Sequence, residues 1–293
     1  MRILVTGRDG QVARCLADLA DDRHAITCLG RPELDLTDRA SVEAAIAHLA
    51  PAIVVNPAAY TAVDKAESER EAAFAVNAAG AENVAAAAAA AGIPIVHLST
   101  DYVFAGDKDG PYVESDATGP TGVYGASKLE GERLVLAANP KAVVLRTAWV
   151  YSPYGNNFLK TMLRVATDRD VLRVVADQRG TPTYAPDIAA GILAVCDRLA
   201  AEPEGVSPGT YHMVASGETT WAGFAEAIFA ASKARGGPFA AVEKIATADY
   251  PTPARRPANS RLDPTRFQTV FGHALPEWKG GVDRCLSALA ASA

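Results

Sequence analysis

Short apolar runs alternate along the chain with longer amphipathic or alanine-rich stretches. Arg2-Ile3-Leu4-Val5-Thr6 predicts a buried strand, Gly7-Arg8-Asp9-Gly10 a tight turn, and Gln11 to Ala20 a helix. Further strands are predicted at Ala25 to Leu29, Ile53 to Val55, Ile95 to Leu98 and Val143 to Leu145. Helices are predicted at Ser41 to Leu49, Glu67 to Ala91 and Lys128 to Ala138. Apolar strands separated by helix-length segments specify parallel pairing through right-handed helical crossovers, with both sheet faces covered. The expected fold class is α/β, a Rossmann-type doubly wound parallel sheet.

After about Trp149 the pattern loosens. A helix near Asn157 to Ala166, a strand at Val171 to Val175 and a helix from Asp187 to Leu199 still read as associated with the sheet. From Pro203 to Arg261 proline and glycine multiply around one clear helix, Trp221 to Ser232. The expected organisation is a dinucleotide-binding domain over residues 1–150, also receiving roughly 171–200, and a mainly substrate-binding lobe over 151–293.

Composition narrows the function. In 293 residues, 28 Lys plus Arg against 34 Asp plus Glu leave a net charge of −6, which argues against nucleic acid as a partner. No stretch reaches the roughly 20 uncharged apolar residues of a membrane span, and no signal peptide is evident, so a cytoplasmic protein without a membrane partner is expected. Cys15, Cys28, Cys196 and Cys285 are scattered and read as reduced thiols.

Gly7-x-x-Gly10-x-x-Ala13 follows the first strand and opens the first helix. In that context small residues let backbone amides approach a pyrophosphate. The second strand ends at Gly30-Arg31 rather than at an acidic residue, so Arg31 would receive a 2′-phosphate and favour NADPH over NADH. Asp35, in a loop, would meet an adenine amine or cap the helix beginning near Asp38. Tyr124 and Lys128 stand four apart at a helix start and so share a face, where an ammonium can lower the pKa of a phenol. Thr100 follows the fourth strand, at the carboxyl end where open α/β sheets bind ligands.

The glycine turn, Thr100 and Tyr124-x-x-x-Lys128 together resemble the extended short-chain dehydrogenase/reductase family. The segments Asn56 to Glu67, Val76-Asn77, Ser99 to Phe104 and Arg146 to Tyr151 more closely resemble the dTDP-4-dehydrorhamnose reductase family. Asn156-Asn157-Phe158, Asp177-Gln178-x-Gly180-x-Pro182-Thr183 and Arg256-Pro257-x-Asn259-Ser260-x-Leu262 extend the likeness. That resemblance implies reduction of the 4-keto group of dTDP-4-dehydro-L-rhamnose by NADPH or NADH. Tyr124 would give the proton, Thr100 would bind the carbonyl oxygen, and Lys128 would tune the phenol and hold the nicotinamide ribose. It implies cofactor contacts at Gly7, Gly10, Gln11, Val12, Arg31, Asp35, Leu36, Ala58, Ala59, Tyr60 and Asn77, besides Tyr124 and Lys128. Substrate contacts would be Thr100, Asp101 and Trp149, with Asn157, Gln178 and Arg256 beside them, Arg256 facing the diphosphate.

A homodimer is compatible with the resemblance. The magnesium bridge described for some members is not expected, because Cys15 and Pro186 stand where carboxylates would be sought, and no metal ligands are assigned. Two other functions share these motifs. One is 4-keto reduction of a different dTDP-deoxysugar, and the other is a non-catalytic NADP-binding regulatory subunit.

Overall fold

The computed structural model describes residues 1–202 and 205–291. Pro203 and Glu204, where the turn-rich stretch is expected to begin, and Ser292 and Ala293 at the end of the expected lobe lie outside the described residues. The first half runs β1 (Arg2–Thr6), α1 (Gln11–Ala17), β2 (Ala25–Leu29), α2 (Arg39–Leu49), β3 (Ile53–Asn56), α3 (Val63–Ala66), α4 (Arg70–Phe74), a π-helical segment Ala75–Gly80 and α5 (Ala81–Ala90). It continues through β4 (Ile95–Thr100), α6 (Val123–Ala138) and β5 (Ala142–Thr147). The second half holds β6 (Val150–Tyr151), α7 (Phe158–Val165), β7 (Val171–Val175), β8 (Arg179–Gly180), β9 (Thr183–Tyr184), α8 (Ala185–Ala201) and β10 (Gly209–His212). Then come β11 (Thr219–Thr220), α9 (Trp221–Lys233), β12 (Ala241–Ile245), α10 (Thr265–Phe271) and α11 (Trp278–Ala291).

Six strands form one parallel sheet in the order β10-β5-β4-β3-β1-β2. The fold is α/β and doubly wound. Val5, Val55, Val96 and Leu145 pack on one face with α1 and α8 residues such as Leu16, Ile188 and Ile192. Leu4, Val54, Ile95 and Val144 pack on the other with Val42, Ala88 and Val135 of α2, α5 and α6. The chain leaves β1 for β2 on one side and returns to β3 on the other, which opens a crevice at the carboxyl ends of β1 and β3.

Two expectations change. The strand Val171–Val175 pairs with β12 outside the large sheet. Its side chains alternate, Val171 and Arg173 exposed and Leu172 and Val174 buried, the pattern of a strand with one wet face, whereas β4 and β5 are buried throughout. What the second half adds to the large sheet is α8 and β10. The single helix expected over Glu67 to Ala91 is two α segments with a π turn between them, because Asn77 is drawn out of helical register by hydrogen bonds to the Tyr60 backbone and Ser127.

A smaller core joins α7, α9 and α11 to β7 and β9 through Leu159, Leu172, Tyr184, Phe224, Ile228, Trp278 and Val282. Among the described residues no helix is long and apolar enough to cross a membrane.

Candidate active site

A cleft of about 770 Å³ runs along the carboxyl ends of β1, β3, β4 and β5. At one end the chain leaves β1 through Gly7, whose φ of +75° and approach to Ala58 exclude a side chain. A Cβ there would lie 2.8 Å from that of Ala58. The Gly10 amide donates to the Gly7 carbonyl at 2.8 Å. Gly10 caps α1 with no side-chain hydrogen bond and no acidic residue follows in the first turn, so the amides at this end are free to meet an anion.

The cleft wall includes Gly7, Gly10, Gln11, Val12, Arg31, Asp35, Leu36, Ala58, Ala59, Tyr124 and Lys128. Arg31 is exposed at the rim. Arg8 also lines the wall, bonding Glu33 at 3.1 Å and the Arg31 carbonyl at 3.2 Å. Asp35 accepts from the Thr37 amide and hydroxyl, and these bonds hold its pKa below the usual carboxylate value. Helix α2 is capped by Asp38 instead.

Asn77 and Tyr60 are not on this wall. Asn77 accepts from the Tyr60 amide at 2.7 Å and donates to the Tyr60 carbonyl and to Ser127 Oγ, so it braces the loop after β3 against α6. The Tyr60 hydroxyl donates to Glu69 at 2.5 Å.

Helix α6 brings Tyr124 and Lys128 to the cleft floor, facing Thr100 at the end of β4. Its first turn is capped from outside, the Val123 amide donating to Glu67 at 2.8 Å. Gly125 and Gly131 allow it to press close, since a Cβ would meet the Tyr102 carbonyl oxygen at 2.1 Å or that of Asn77 at 2.0 Å.

The pKa of Tyr124 is raised, first by burial and then by the charge of Asp101, while a hydrogen bond with Thr100 opposes the rise. This differs from the expectation that Lys128 lowers it. The ammonium is turned into the sheet, donating to the Leu98 carbonyl at 2.7 Å beside His97, and burial pushes its own pKa down to about 8. A phenol with a raised pKa keeps its proton at neutral pH, the form that donates to a carbonyl oxygen. Asp101, 3% exposed, is pushed up to about 6 by burial against hydrogen bonds from Ser260 and Thr100.

The remaining expected contacts lie in the second lobe. Trp149 adopts a φ of +48°, stacks on Trp221 at 3.7 Å, and lies so close over Gly180 that a Cβ there would meet its ring at 2.5 Å. Gln178 holds that pair from behind, accepting from Trp221 Nε1 at 3.1 Å and donating to Thr247. Asn157 has a structural task. It caps α7 and donates to the Gln11 side chain and to the Ser152 carbonyl, which uses both ends of its amide. Arg256 bonds Asp64 at 2.7 Å, which ties the proline-rich strap to α3.

The sequence reading missed Arg8, Ser99 and Thr147 on the cleft wall. Ser99 Oγ and Thr147 Oγ1 are buried without a hydrogen-bond partner at the ends of β4 and β5. Their position after apolar strands, at the same level as Thr100, is the signal that could have found them. Unpartnered hydroxyls, bare helix amides and an exposed arginine fit a polar, anionic dinucleotide. Among the described residues no group of three or more His, Cys, Asp or Glu could hold a metal ion.

Comparison with known proteins agrees with this geometry. A dTDP-4-dehydrorhamnose reductase of Sinorhizobium fredii is 50% identical over 289 residues, 99% of this chain and 98% of that one. The crystal structure of a Clostridium acetobutylicum dTDP-4-dehydrorhamnose reductase superposes with a TM-score of 0.92 at 37% identity, covering 99% of this chain and 100% of that one. The Bacillus anthracis dTDP-4-dehydrorhamnose reductase in complex with NADP gives 0.89 at 35% identity, covering 98% and 99%. The model of the family described as RmlD substrate binding domain matches residues 1–291, and the chain belongs to that family.

Proposed function

We propose that this chain is an NAD(P)H-dependent oxidoreductase that reduces the 4-keto group of dTDP-4-dehydro-L-rhamnose to give dTDP-L-rhamnose. The observation that carries the reading is the grouping of Tyr124, Lys128 and the end of β4 on the cleft that starts at the Gly7 turn, in a chain 50% identical to a reductase of that name. Residues 1–150 with α8 and β10 act as the dinucleotide-binding unit, and the rest of the second half as the substrate lobe.

The N-terminus of α1, with Gly7, Gly10, Gln11 and Val12, holds the pyrophosphate, and Arg31 receives the 2′-phosphate, so NADPH is the preferred cofactor. Asp35, Leu36, Ala58 and Ala59 line the remaining nucleotide wall. A bound reduced nicotinamide supplies the hydride. Tyr124, neutral because it is buried beside Asp101, passes its hydroxyl proton to the sugar carbonyl oxygen. With substrate bound, the Thr100 hydroxyl, which donates to Asp101 at 3.0 Å, turns to donate to the same oxygen and fixes its position. Lys128, one helical turn beyond Tyr124, holds the nicotinamide ribose. The enzyme acts in the cytoplasm.

The test is a panel of dTDP-4-keto-sugars with NADPH and NADH in parallel, followed at the reduced-nicotinamide absorbance with product identification. Fastest turnover of dTDP-4-dehydro-L-rhamnose with NADPH is expected. Faster turnover of another keto-sugar would reassign the substrate, and cofactor binding without turnover of any would contradict the reading.

A further inference from the structure

Lys128 is 2% exposed, and its ammonium is supported from inside the sheet. Besides its bond to the Leu98 carbonyl, Nζ lies 3.3 Å from His97 Nε2. Behind it His97 Nδ1 lies 3.1 Å from Asn56 Nδ2, and Thr6 Oγ1 lies 2.5 Å from Asn56 Oδ1. Thr6, Asn56 and His97 are all 0% exposed and come from β1, β3 and β4, neighbours in the sheet. A polar file therefore crosses an apolar sheet interior and ends on Lys128. Such a file destabilises the fold unless each group in it is satisfied. The mechanism above gives these three residues no task.

Burial and the charge of Lys128 hold the pKa of His97 well below its ordinary value, so the ring is neutral, with one nitrogen donating and the other accepting. With Asn56 Nδ2 donating to Nδ1, the ring proton sits on Nε2 and faces Nζ, an arrangement that satisfies an unprotonated amine. A charged Nζ has no lone pair and needs Nε2 as acceptor. The ring proton then moves to Nδ1, where the Asn56 backbone carbonyl can accept it, and a half-turn of the Asn56 amide presents Oδ1 to the ring as well and Nδ2 to Thr6. That half-turn exchanges oxygen and nitrogen in nearly the same positions. The Thr6 hydroxyl can donate in one state and accept in the other.

We propose that His97 is a positioning residue that holds Lys128 Nζ in both of its charge states by exchanging ring tautomers, with Asn56 and Thr6 completing each state. Both states are reached near neutral pH, since burial brings Lys128 down to about 8. The titratable groups around Nζ are His97 from β4, Tyr124 one turn earlier on α6 and Glu132 one turn later. Glu132 raises the lysine pKa and is itself locked by two bonds to Arg146 of β5. The catalytic consequence rests on the reductase reading, whereas the tautomer exchange is measurable without substrate.

The experiment is ¹⁵N NMR of histidine-labelled protein at about pH 6.5 and about pH 9.5, on either side of the lysine's pKa. The His97 signal, identified as the one missing in His97→Gln, is expected to report Nδ1–H at the lower pH and Nε2–H at the higher. In Lys128→Met a histidine signal should lose its tautomer switch, which identifies the ring even where His97→Gln fails to fold. One tautomer at both pH values overturns the proposal.

Kinetics supply a second readout. His97→Leu removes the acceptor for the charged lysine, so the alkaline limb of kcat moves to lower pH by about one unit and kcat falls about ten-fold, with KM unchanged. His97→Gln, whose amide donates or accepts, restores both. Where His97→Leu does not fold, His97→Asn, whose shorter amide falls short of Nζ, is expected to move the limb the same way. Wild-type profiles in the folded variants overturn the positioning role. A wild-type enzyme inert toward the keto-sugar defeats the reductase reading alone, and the NMR still decides the tautomer exchange.

Discussion

At the scale of single residues the account rests on Tyr124. With that phenol as the proposed proton donor, set apart from the pyrophosphate end, Tyr124→Phe should lower kcat by about 10³-fold or more. NADPH affinity, measured by fluorescence titration, should stay within about two-fold. Near-normal turnover would remove the role. Arg31 is exposed at the cleft rim, where a 2′-phosphate would be its partner. Arg31→Ala is expected to reduce the ratio of kcat/KM for NADPH over NADH by about ten-fold or more. An unchanged ratio would move the phosphate contact to Arg8.

Much of the cleft wall was legible at this scale, since glycine turns and strand ends announce themselves locally. The bracing bonds of Asn77, Asn157 and Arg256 were not. Each residue bonds across a long sequence separation, to Tyr60 and Ser127, to Gln11, and to Asp64. Nothing in a local pattern separates an amide that braces a loop from one that meets a ligand.

At the scale of elements, α6 must lie against the π-helical segment closely enough to aim Tyr124 and Lys128. Gly131 permits this, with the Asn77 carbonyl oxygen 2.0 Å from where a Cβ would stand. Backbone cannot yield as a side chain can, so Gly131→Ala should destabilise the protein by about 1–3 kcal/mol in denaturant unfolding. It should lower kcat as well, because the helix shifts away from the cleft. Stability equal to the wild type would show that the contact is dispensable.

Strand and helix periodicity located α6 and the strands of the large sheet up to β5. The break within Glu67 to Ala91 was hidden, because alanine favours helix everywhere and the π turn is set by tertiary bonds of Asn77. For β7 the alternation of Val171, Leu172, Arg173 and Val174 was present in the sequence and already marked a strand wet on one face.

For the whole molecule, burying Asp101 at the end of the sheet sets a pH dependence on stability. Asp101 has a folded pKa of about 6, above its unfolded value, so the folded state binds its proton more tightly. Its favourable contribution is full below about pH 4 and is lost as the pH rises through about 6. Asp101→Asn should therefore stabilise the protein by about 2–3 kcal/mol at pH 8 and by little at pH 4, read from urea unfolding at each pH. A gain equal at both pH values would assign the effect to packing. The large parallel sheet was legible from the order of elements. Where β7 joins was not, since that depends on its pairing with β12, in which Val171 meets Ala241 and Val175 meets Ile245 across 70 residues of chain.

The central claim is hydride delivery to a sugar carbonyl with Tyr124 as proton donor. It is tested most directly by a single turnover with NADPH carrying deuterium at the transferable nicotinamide position and dTDP-4-dehydro-L-rhamnose as substrate, with the product analysed by NMR. The account predicts dTDP-L-rhamnose with deuterium at C4, formed by the wild type and not by Tyr124→Phe. Cofactor bound but no deuterium at C4, or equal labelling by the Tyr124→Phe enzyme, would contradict it.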